Sequence, residues 1–196
     1  MTELEQAAAA VRAAPARLGG TRLVVIDGPS GSGKTVFATR LRELLGCVLV
    51  STDDFATWDE PFAWWPRLRE GVLEPLRQGV PGGYQCVEWN EGAPFPGRWR
   101  TVEVPETLIL EGVSAARRAV ADRVSLTVWI SYGTPEQRLD RSVGRDGEDQ
   151  RANLAAWQRT ETGWFAVDRP ESRADLVVRA CVGENQHFRT QGPNKH

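Results

Sequence analysis

Lysine and histidine are scarce in this chain. Only Lys34 and Lys195 are lysines among the 24 basic residues, and the two histidines are His187 and His196. The 26 acidic residues outnumber the basic ones and give a net charge of -2. Because a protein that neutralises nucleic-acid phosphates normally has an excess of basic residues, nucleic acid is not an expected partner. Histidine-based acid–base catalysis and histidine-rich metal sites are not expected either.

Cysteine is also sparse, and long apolar runs are missing. The three cysteines, Cys47, Cys86 and Cys181, are far apart and form no C-x-x-C pair, so neither a disulfide framework nor a zinc site is expected. No apolar run approaches the ~20 residues that a membrane helix needs. Glu3 and Glu5 stand where a signal peptide would carry positive charge. We therefore expect a cytoplasmic protein with no membrane partner.

The length and composition suit one compact domain. The chain has 196 residues, of which 41% are hydrophobic and 26% charged, as in ordinary globular proteins. An alanine-rich segment over residues 3–14 predicts a surface helix, ended by Pro15 and followed by a linker up to residue 20. We expect the main domain over residues 21–180 and a polar C-terminal tail over residues 181–196.

Short apolar runs alternate with amphipathic segments along the main domain. Buried strands are predicted over residues 23–26, 48–50, 107–110, 124–130 and 174–178. Helical spacing of apolar residues predicts helices over 34–45, 135–143 and 150–165. This alternation predicts an α/β fold with a parallel five-stranded sheet and right-handed crossovers.

The segment 56–104 breaks that alternation. It holds five of the eight tryptophans, is rich in proline and glycine, and has weak periodicity. A long insertion of this kind is often a lid or a substrate-facing region. The alternative is a locally packed aromatic core, since tryptophan buries a large area wherever it falls. Both interpretations can hold together.

A phosphate-binding motif follows the first strand. The segment 28–35, GPSGSGKT, matches G-x-x-x-x-G-K-[ST] between a buried strand and a helix. The alternative of a glycine-rich turn arising by chance is disfavoured by the scarcity of lysine. The backbone N–H groups of such a loop cradle phosphate oxygens, Lys34 would reach the β- and γ-phosphates, and Thr35 would bind Mg²⁺. The expected nucleotide-binding residues of the loop are Gly28, Ser30, Gly31, Ser32, Gly33, Lys34 and Thr35.

Acidic residues follow the second and third strands, where ligands of parallel sheets bind. Asp53 and Asp54 come directly after the second strand, and Glu111 ends the third. A carboxylate at this edge could accept the proton of an acceptor hydroxyl and contact Mg²⁺. The alternative for the aspartates is to cap a following helix. Whether Asp54 shares the role of Asp53 stays open.

Three arginines share one face of the next predicted helix. Arg138, Arg141 and Arg145 recur at i, i+3 and i+7. Guanidinium groups that converge in this way suit the charge of a transferring phosphoryl group, and the nearby glycines would let the segment move as a lid. The alternative is a solvated face on which the arginines pair with neighbouring acids.

Together these motifs resemble the uridine kinase-like family of P-loop kinases. The resemblance rests on IDGPSGSGKT, STDDF, LILEGV, RLDRSVGRD and RADLVV over residues 22–180, whereas the N-K-x-D motif of GTPases and the L-S-G-G-Q motif of transporter ATPases are absent from the sequence. It implies the three-layer P-loop NTPase sandwich with a helical lid. It also implies ATP and Mg²⁺ as cofactors, with Asp53 as general base, and the metal held by Thr35, Asp53 and Glu111. Arg138, Arg141 and Arg145 would belong to the lid.

The family reads its nucleoside with a Tyr-Asp pair followed by His and Arg. Here Tyr84 and Gln85 stand in place of the pair, with Trp89 and Arg98 further on, and there is no histidine before His187. The resemblance therefore implies Asp53, Tyr84, Trp89 and Arg98 as substrate-binding residues.

The expected function is that of a small-molecule kinase. Catalysis would rest on Asp53, Lys34 and Arg141. A nucleoside such as uridine or cytidine is the leading acceptor, and a pantothenate-like acid, a sugar or a secondary metabolite is the alternative. A nucleoside monophosphate is a further possible acceptor, because the segment 56–104 also carries Arg67, Arg69 and Arg98. A non-catalytic nucleotide-binding switch is the competing class, and the sequence leaves homo-oligomerisation open.

Overall fold

A computed structural model describes residues 2–90, 93–180 and 188–191. The helices are α1 (Glu3–Ala13), α2 (Lys34–Leu45), α3 (Trp65–Leu68), α4 (Glu74–Arg77), α5 (Pro135–Asp146) and α6 (Arg151–Asp168). The strands are β1 (Arg22–Asp27), β2 (Val48–Ser51), β3 (Gly82–Asn90), β4 (Ala93–Val102), β5 (Thr107–Glu111), β6 (Val124–Ser131), β7 (Leu176–Ala180) and β8 (Phe188–Gln191). Cys181 and His187 lie outside the described residues.

The main sheet has the strand order β2-β5-β1-β6-β7-β8. The first five strands in that order pair in parallel, as the apolar runs predict. β8 is antiparallel to β7 and forms one edge. The prediction of a tail over residues 181–196 missed this strand, because its short polar sequence has no apolar run and its pairing depends on the exposed edge of β7.

The two faces of the sheet contribute to two separate cores. Along β1, Leu23 and Val25 pack in one core and Val24 and Ile26 in the other, because successive strand side chains point to opposite faces. The first core is shared with the segment between β2 and β5, and the second with α1 and α2. The fold is thus the predicted three-layer α/β sandwich.

α1 packs more tightly than the predicted surface helix would. Ala7, Ala8 and Val11 are buried in the second core. The small alanine side chains allow the helix backbone to approach its neighbours closely. A reciprocal cap between Thr2 and Glu5 starts the helix.

The tryptophan-rich segment 56–104 contains regular structure that its weak periodicity did not predict. A helical stretch runs through α3, one π turn (Arg69–Leu73) and α4. β3 and β4 then form an antiparallel hairpin with an irregular register near Gln85. Pro94, Pro96 and Gly97 lie within β4, and such residues are rare in strands. Cross-strand pairing, rather than local propensity, therefore specifies this hairpin.

α5 and α6 form an antiparallel helical pair beside the phosphate-binding loop, where a helical lid is expected. A reciprocal cap between Thr134 and Gln137 starts α5, and Pro135 occupies its first turn. Within residues 2–90 and 93–180, no helix combines the length and the apolar character that crossing a membrane requires.

Candidate active site

The phosphate-binding loop links the end of β1 to the start of α2. Gly28 and Gly31 have φ angles of 147° and 75°, a region that residues with a Cβ rarely adopt. A Cβ at Gly28 would lie 2.1 Å from the Ile130 carbonyl oxygen, and one at Gly31 would lie 2.5 Å from that of Arg138. The glycines therefore allow the loop to fit between β6 and α5. The buried Ser32 hydroxyl has no hydrogen-bond partner within the described residues.

Lys34 and Thr35 begin α2 and face the centre of the cleft. The Lys34 ammonium donates to the Pro29 carbonyl oxygen across the loop at 3.0 Å. The Thr35 hydroxyl lies 3.4 Å and 3.5 Å from the two Glu111 carboxylate oxygens. The predicted loop residues 28–35 are thus brought together with the acid at the end of β5.

Glu111 is almost fully buried and is held by its strand neighbour. In the parallel ladder Ser51 of β2 stands opposite Glu111 of β5, and its hydroxyl donates to the carboxylate at 2.7 Å. Burial is the main cause that raises the pKa of Glu111 to about 7, and the charge of Asp53 adds to it. Lys34 and the two hydroxyl groups act in the opposite direction.

The two aspartates after β2 diverge. A 3-10 turn (Thr52–Asp54) follows the strand, and the Ser51 side chain caps it by accepting from the Asp53 N–H at 3.3 Å. Neither aspartate is therefore the cap of this turn. Asp53 and Asp54 both line the cleft, but among the described residues only Asp54 is engaged by side chains of the β3–β4 hairpin. Asp54 accepts a hydrogen bond from the Tyr84 hydroxyl at 2.6 Å and lies 3.7 Å from the Arg100 guanidinium.

The predicted substrate-binding residues separate into two groups. Asp53 and Trp89 line the cleft. Tyr84 does not, because its buried ring stacks on Phe55 at a centroid distance of 4.5 Å. Burial and the bond to Asp54 raise the pKa of the Tyr84 hydroxyl. Arg98 also lies outside the cleft lining and is exposed on β4. In this conformation neither Tyr84 nor Arg98 lines the cleft.

The three arginines of α5 do not converge as predicted. Arg141 donates to the Gly31 carbonyl oxygen at 3.3 Å, and its guanidinium lies 4.9 Å from the centroid of the Tyr132 ring. Arg145 pairs with Asp146 through two bonds of 2.6 Å and 2.5 Å. Both line the cleft.

Arg138 points away from the other two. Its guanidinium donates to the carbonyl oxygens of Tyr132 and Gly133 at 3.0 Å and 3.1 Å. Arg138 does not line the cleft. Helical spacing correctly places the three residues near one face, but backbone carbonyls before α5 are the nearer acceptors for the first of them. The electrostatic repulsion among the three guanidinium groups, which a bound anion would relieve, is therefore reduced.

Sequence reasoning missed Glu161, an acid of α6 that contacts the phosphate-binding loop. Its carboxylate accepts from the Ser30 N–H at 3.0 Å and from the Ser30 hydroxyl at 2.7 Å. Burial raises its pKa, and the Ser30 bonds and Lys34 oppose that shift. A signal is present in the sequence, because Glu161 lies seven residues after Leu154 on the buried face of α6.

Asp27 was also missed. This buried residue ends β1 and accepts from the backbone N–H groups of Gly28, Ser114 and Ala116 at 2.7 Å, 3.1 Å and 2.9 Å. Burial raises its pKa to about 6, although these bonds and Lys34 lower it. Asp27 joins the start of the phosphate-binding loop to the loop after β5.

The phosphate-binding loop, the ends of β2 and β5, and residues of α5 and α6 surround one cleft of about 1220 Å³. Such a volume accommodates a nucleotide together with a second small molecule. Its lining includes the phosphate-binding loop, Asp53, Glu111, Arg141 and Arg145, and also three tryptophans, Trp58, Trp89 and Trp157.

The oxygen atoms of Thr35, Asp53 and Glu111 suit a hard cation. Mg²⁺ in nucleotide sites is held by one or two carboxylates together with phosphate oxygens and water. In residues 2–90 and 93–180, no group of three or more His, Cys, Asp or Glu side chains forms a metal cage. The donor set therefore fits a metal that arrives with a nucleotide better than one that the protein binds alone.

Comparisons with known proteins support the fold. No protein-family model matches the chain, and no curated protein matches it. A structure from Bacillus stearothermophilus described as a possible uridine kinase superposes with a TM-score of 0.62 at 18% identity, over 89% of this chain and 96% of that one. D-glycerate 3-kinase from Cryptococcus neoformans superposes with a TM-score of 0.62 at 12% identity, over 96% of this chain and 99% of that one. The chain therefore has the P-loop kinase fold that its motifs predict.

Proposed function

We propose that this protein is an ATP- and Mg²⁺-dependent kinase that phosphorylates a hydroxyl group of a small molecule. The observation that carries the proposal is the position of the Asp53 carboxylate, which lines the same cleft as Lys34 and Thr35 of the phosphate-binding loop. A carboxylate opposite a phosphate site is what transfer to an alcohol requires.

The phosphate-binding loop would hold the donor. The backbone N–H groups at the start of α2 and the Lys34 ammonium would bind the β- and γ-phosphates of ATP. Arg141, whose guanidinium already reaches the Gly31 carbonyl, would turn toward the same phosphates. A positive group at this point stabilises charge that develops on the transferring phosphoryl group.

Thr35, Asp53 and Glu111 would hold the magnesium ion. When bound, Mg²⁺ offsets the negative charge of the phosphates. The hydroxyl of Ser51 fixes the Glu111 carboxylate from the neighbouring strand, so Glu111 is oriented before any ligand arrives.

Asp53 would orient the acceptor hydroxyl and take its proton. The acceptor oxygen forms a bond to the γ-phosphorus while the bond between that phosphorus and the β,γ-bridging oxygen breaks, and ADP leaves with that electron pair. The proton moves from the acceptor oxygen to the Asp53 carboxylate. Asp54 cannot replace it in this conformation, because Tyr84 and Arg100 engage its carboxylate.

The best substrate proposal from the motifs is a nucleoside such as uridine or cytidine, in keeping with a uridine kinase-like activity. A pantothenate-like acid, a sugar or another metabolite remains the alternative acceptor. A cytoplasmic location, the division into residues 1–20, 21–180 and 181–196, and any association between copies of the chain stay predictions.

The proposal is tested by ADP release in the presence of ATP, Mg²⁺ and a panel of alcohols. Asp53→Asn should lower acceptor-stimulated turnover by about 10²- to 10⁴-fold, the range for a lost general base, and leave ATP binding intact. Asp59→Asn makes the same chemical change at an exposed position outside the cleft lining and should leave turnover unchanged. ATP binding without stimulation by any alcohol would favour the non-catalytic switch instead.

A further inference from the structure

Three tryptophans from separate elements meet at one side of the cleft. Trp58 follows the turn after β2, Trp89 lies on β3 and Trp157 on α6, and all three line the cleft. The ring of Trp58 meets that of Trp89 at a centroid distance of 5.2 Å and that of Trp157 at 5.9 Å, both edge to face. We call this group the tryptophan wall.

The tryptophan wall leaves a large apolar area open to the cleft. Trp89 is 41% exposed even though its ring contacts that of Trp58. Ala56, Val87 and Leu154 line the cleft as well and extend its apolar lining. Aromatic rings are amphipathic platforms that bind planar or apolar groups by stacking and edge contacts.

Three arginines of the tryptophan-rich segment, Arg67, Arg69 and Arg98, lie outside the cleft lining. The Arg67 guanidinium donates to the Phe55 carbonyl oxygen and lies over the Phe55 ring, and Arg69 pairs with Glu70 at 2.6 Å. Arg98 is exposed outside the cleft lining. None of these three lines the cleft, so none is placed to bind an anionic group of the acceptor there.

The basic residues that do line the cleft have partners at its nucleotide side. Lys34 donates within the phosphate-binding loop, Arg141 contacts Gly31, and Arg145 is paired with Asp146. Beside the acceptor hydroxyl, the lining carries the two carboxylates of Asp53 and Asp54, and Arg100 is already paired with Asp54 at 3.7 Å. A carboxylate or phosphate on the acceptor would therefore be repelled and unpaired.

We infer that the acceptor is an uncharged alcohol that carries an aromatic ring, and that the tryptophan wall binds this ring. The inference rests on the proposed kinase function and narrows it, since it disfavours acidic alcohols, nucleoside monophosphates and small sugars. Nucleosides belong to the favoured class, as do other alcohols with an aromatic ring.

The test combines ADP release with calorimetric binding in the presence of Mg²⁺ and ADP. Uridine, adenosine and pyridoxine serve as aromatic probes without net charge, and ribose, D-glycerate and pantothenate as probes without an aromatic ring. Uridine 5′-monophosphate tests the effect of added charge on binding. We expect at least one ring-bearing alcohol to bind and to stimulate ADP release, and the probes without an aromatic ring to do neither.

A matched pair of variants assigns the binding to the tryptophan wall. Trp89→Leu should weaken binding of the active ring-bearing probe roughly tenfold or more, and it should leave ATP affinity unchanged. Trp99→Leu makes the same change on the same hairpin, at a ring that is 67% exposed outside the cleft lining, and should have no effect. Trp157→Leu provides a second removal from a different element.

The outcomes separate the inference from the kinase proposal. Stimulation by ribose, D-glycerate or pantothenate, with no response to ring-bearing alcohols, overturns the inference and supports the kinase. Binding of a ring-bearing probe that Trp89→Leu weakens, without ADP release, supports ring binding by the tryptophan wall but counts against the kinase, and with it against the bound molecule's role as acceptor. If no ring-bearing probe binds, or if Trp89→Leu and Trp157→Leu both bind like the unaltered protein, the inference is wrong.

Discussion

The Glu161 carboxylate accepts hydrogen bonds from both the backbone N–H and the hydroxyl of Ser30, at 3.0 Å and 2.7 Å. The two residues lie 131 positions apart in the chain. Glu161 is only 2% exposed, so the contact ties α6 firmly to the third residue of the phosphate-binding loop. The helix that carries Trp157 is thereby joined to the loop that would hold ATP.

Replacing Glu161 should destabilise the protein. Glu161→Ala leaves the Ser30 N–H and hydroxyl without their acceptor, and we expect the free energy of unfolding to fall by about 1–3 kcal/mol. Glu161→Gln retains an acceptor oxygen and should lower the free energy of unfolding by less than Glu161→Ala does. Urea denaturation measures both changes. Glu43→Ala removes an exposed glutamate from α2 and should change stability by less than about 0.5 kcal/mol. Equal losses for Glu43→Ala and Glu161→Ala would contradict the assigned role of this contact.

Asp27 should make stability depend on pH in acid solution. Its pKa is raised from 3.8 to about 6 in the folded protein, so between these values the folded state holds a proton that the unfolded state has lost. This contribution to stability is present below about pH 4 and is lost as the pH rises through 6. Asp27→Asn cannot titrate. The free energy of unfolding of the unaltered protein, measured relative to that of Asp27→Asn, should therefore fall by about 1–3 kcal/mol between pH 4 and pH 7.

The measurement for Asp27 is a series of urea denaturation curves for both proteins across that pH range. Comparing the two proteins cancels the titration of the other acids, several of which also have shifted pKa values. A constant difference in unfolding free energy from pH 4 to pH 7 would show that the pKa of Asp27 is not raised.

Tyr84 should contribute to stability rather than to substrate choice. Tyr84→Phe keeps the ring on Phe55 but removes the hydrogen bond to Asp54, which should lower the free energy of unfolding by about 1–2 kcal/mol. The ranking of acceptors in the ADP-release assay should not change. The only other tyrosine, Tyr132, provides the matched control Tyr132→Phe. A change in acceptor preference with unchanged stability would restore Tyr84 to the substrate site.

The motif that implies ATP could be recognised from sequence because its residues are contiguous. Residues 28–35 form the loop by local geometry, and the strand segments 48–50 and 108–110 are apolar on every residue because both faces of the sheet pack against a core. Since parallel strands end at one edge, the order of the chain is enough to place the two acids beside the loop. These features depend on that order and on short-range physics.

Other features depended on contacts between distant segments. The helical spacing of Arg138, Arg141 and Arg145 could not show that carbonyl oxygens before α5 would engage the first of them. Tyr84 lies beside Asp54 because of the β3–β4 hairpin. Strand propensity does not predict this hairpin, because β4 contains two prolines and a glycine.

The sequence by itself determined the five parallel strands, the phosphate-binding loop and the acids that face it, because each is specified by neighbouring residues or by a repeating pattern. Only the tertiary structure decided that Glu161 holds the loop and that Trp157 joins Trp58 and Trp89 at the cleft. The physical reason is that the role of a side chain on α6 depends on the residues that pack against it, and those residues come from segments far away in the chain.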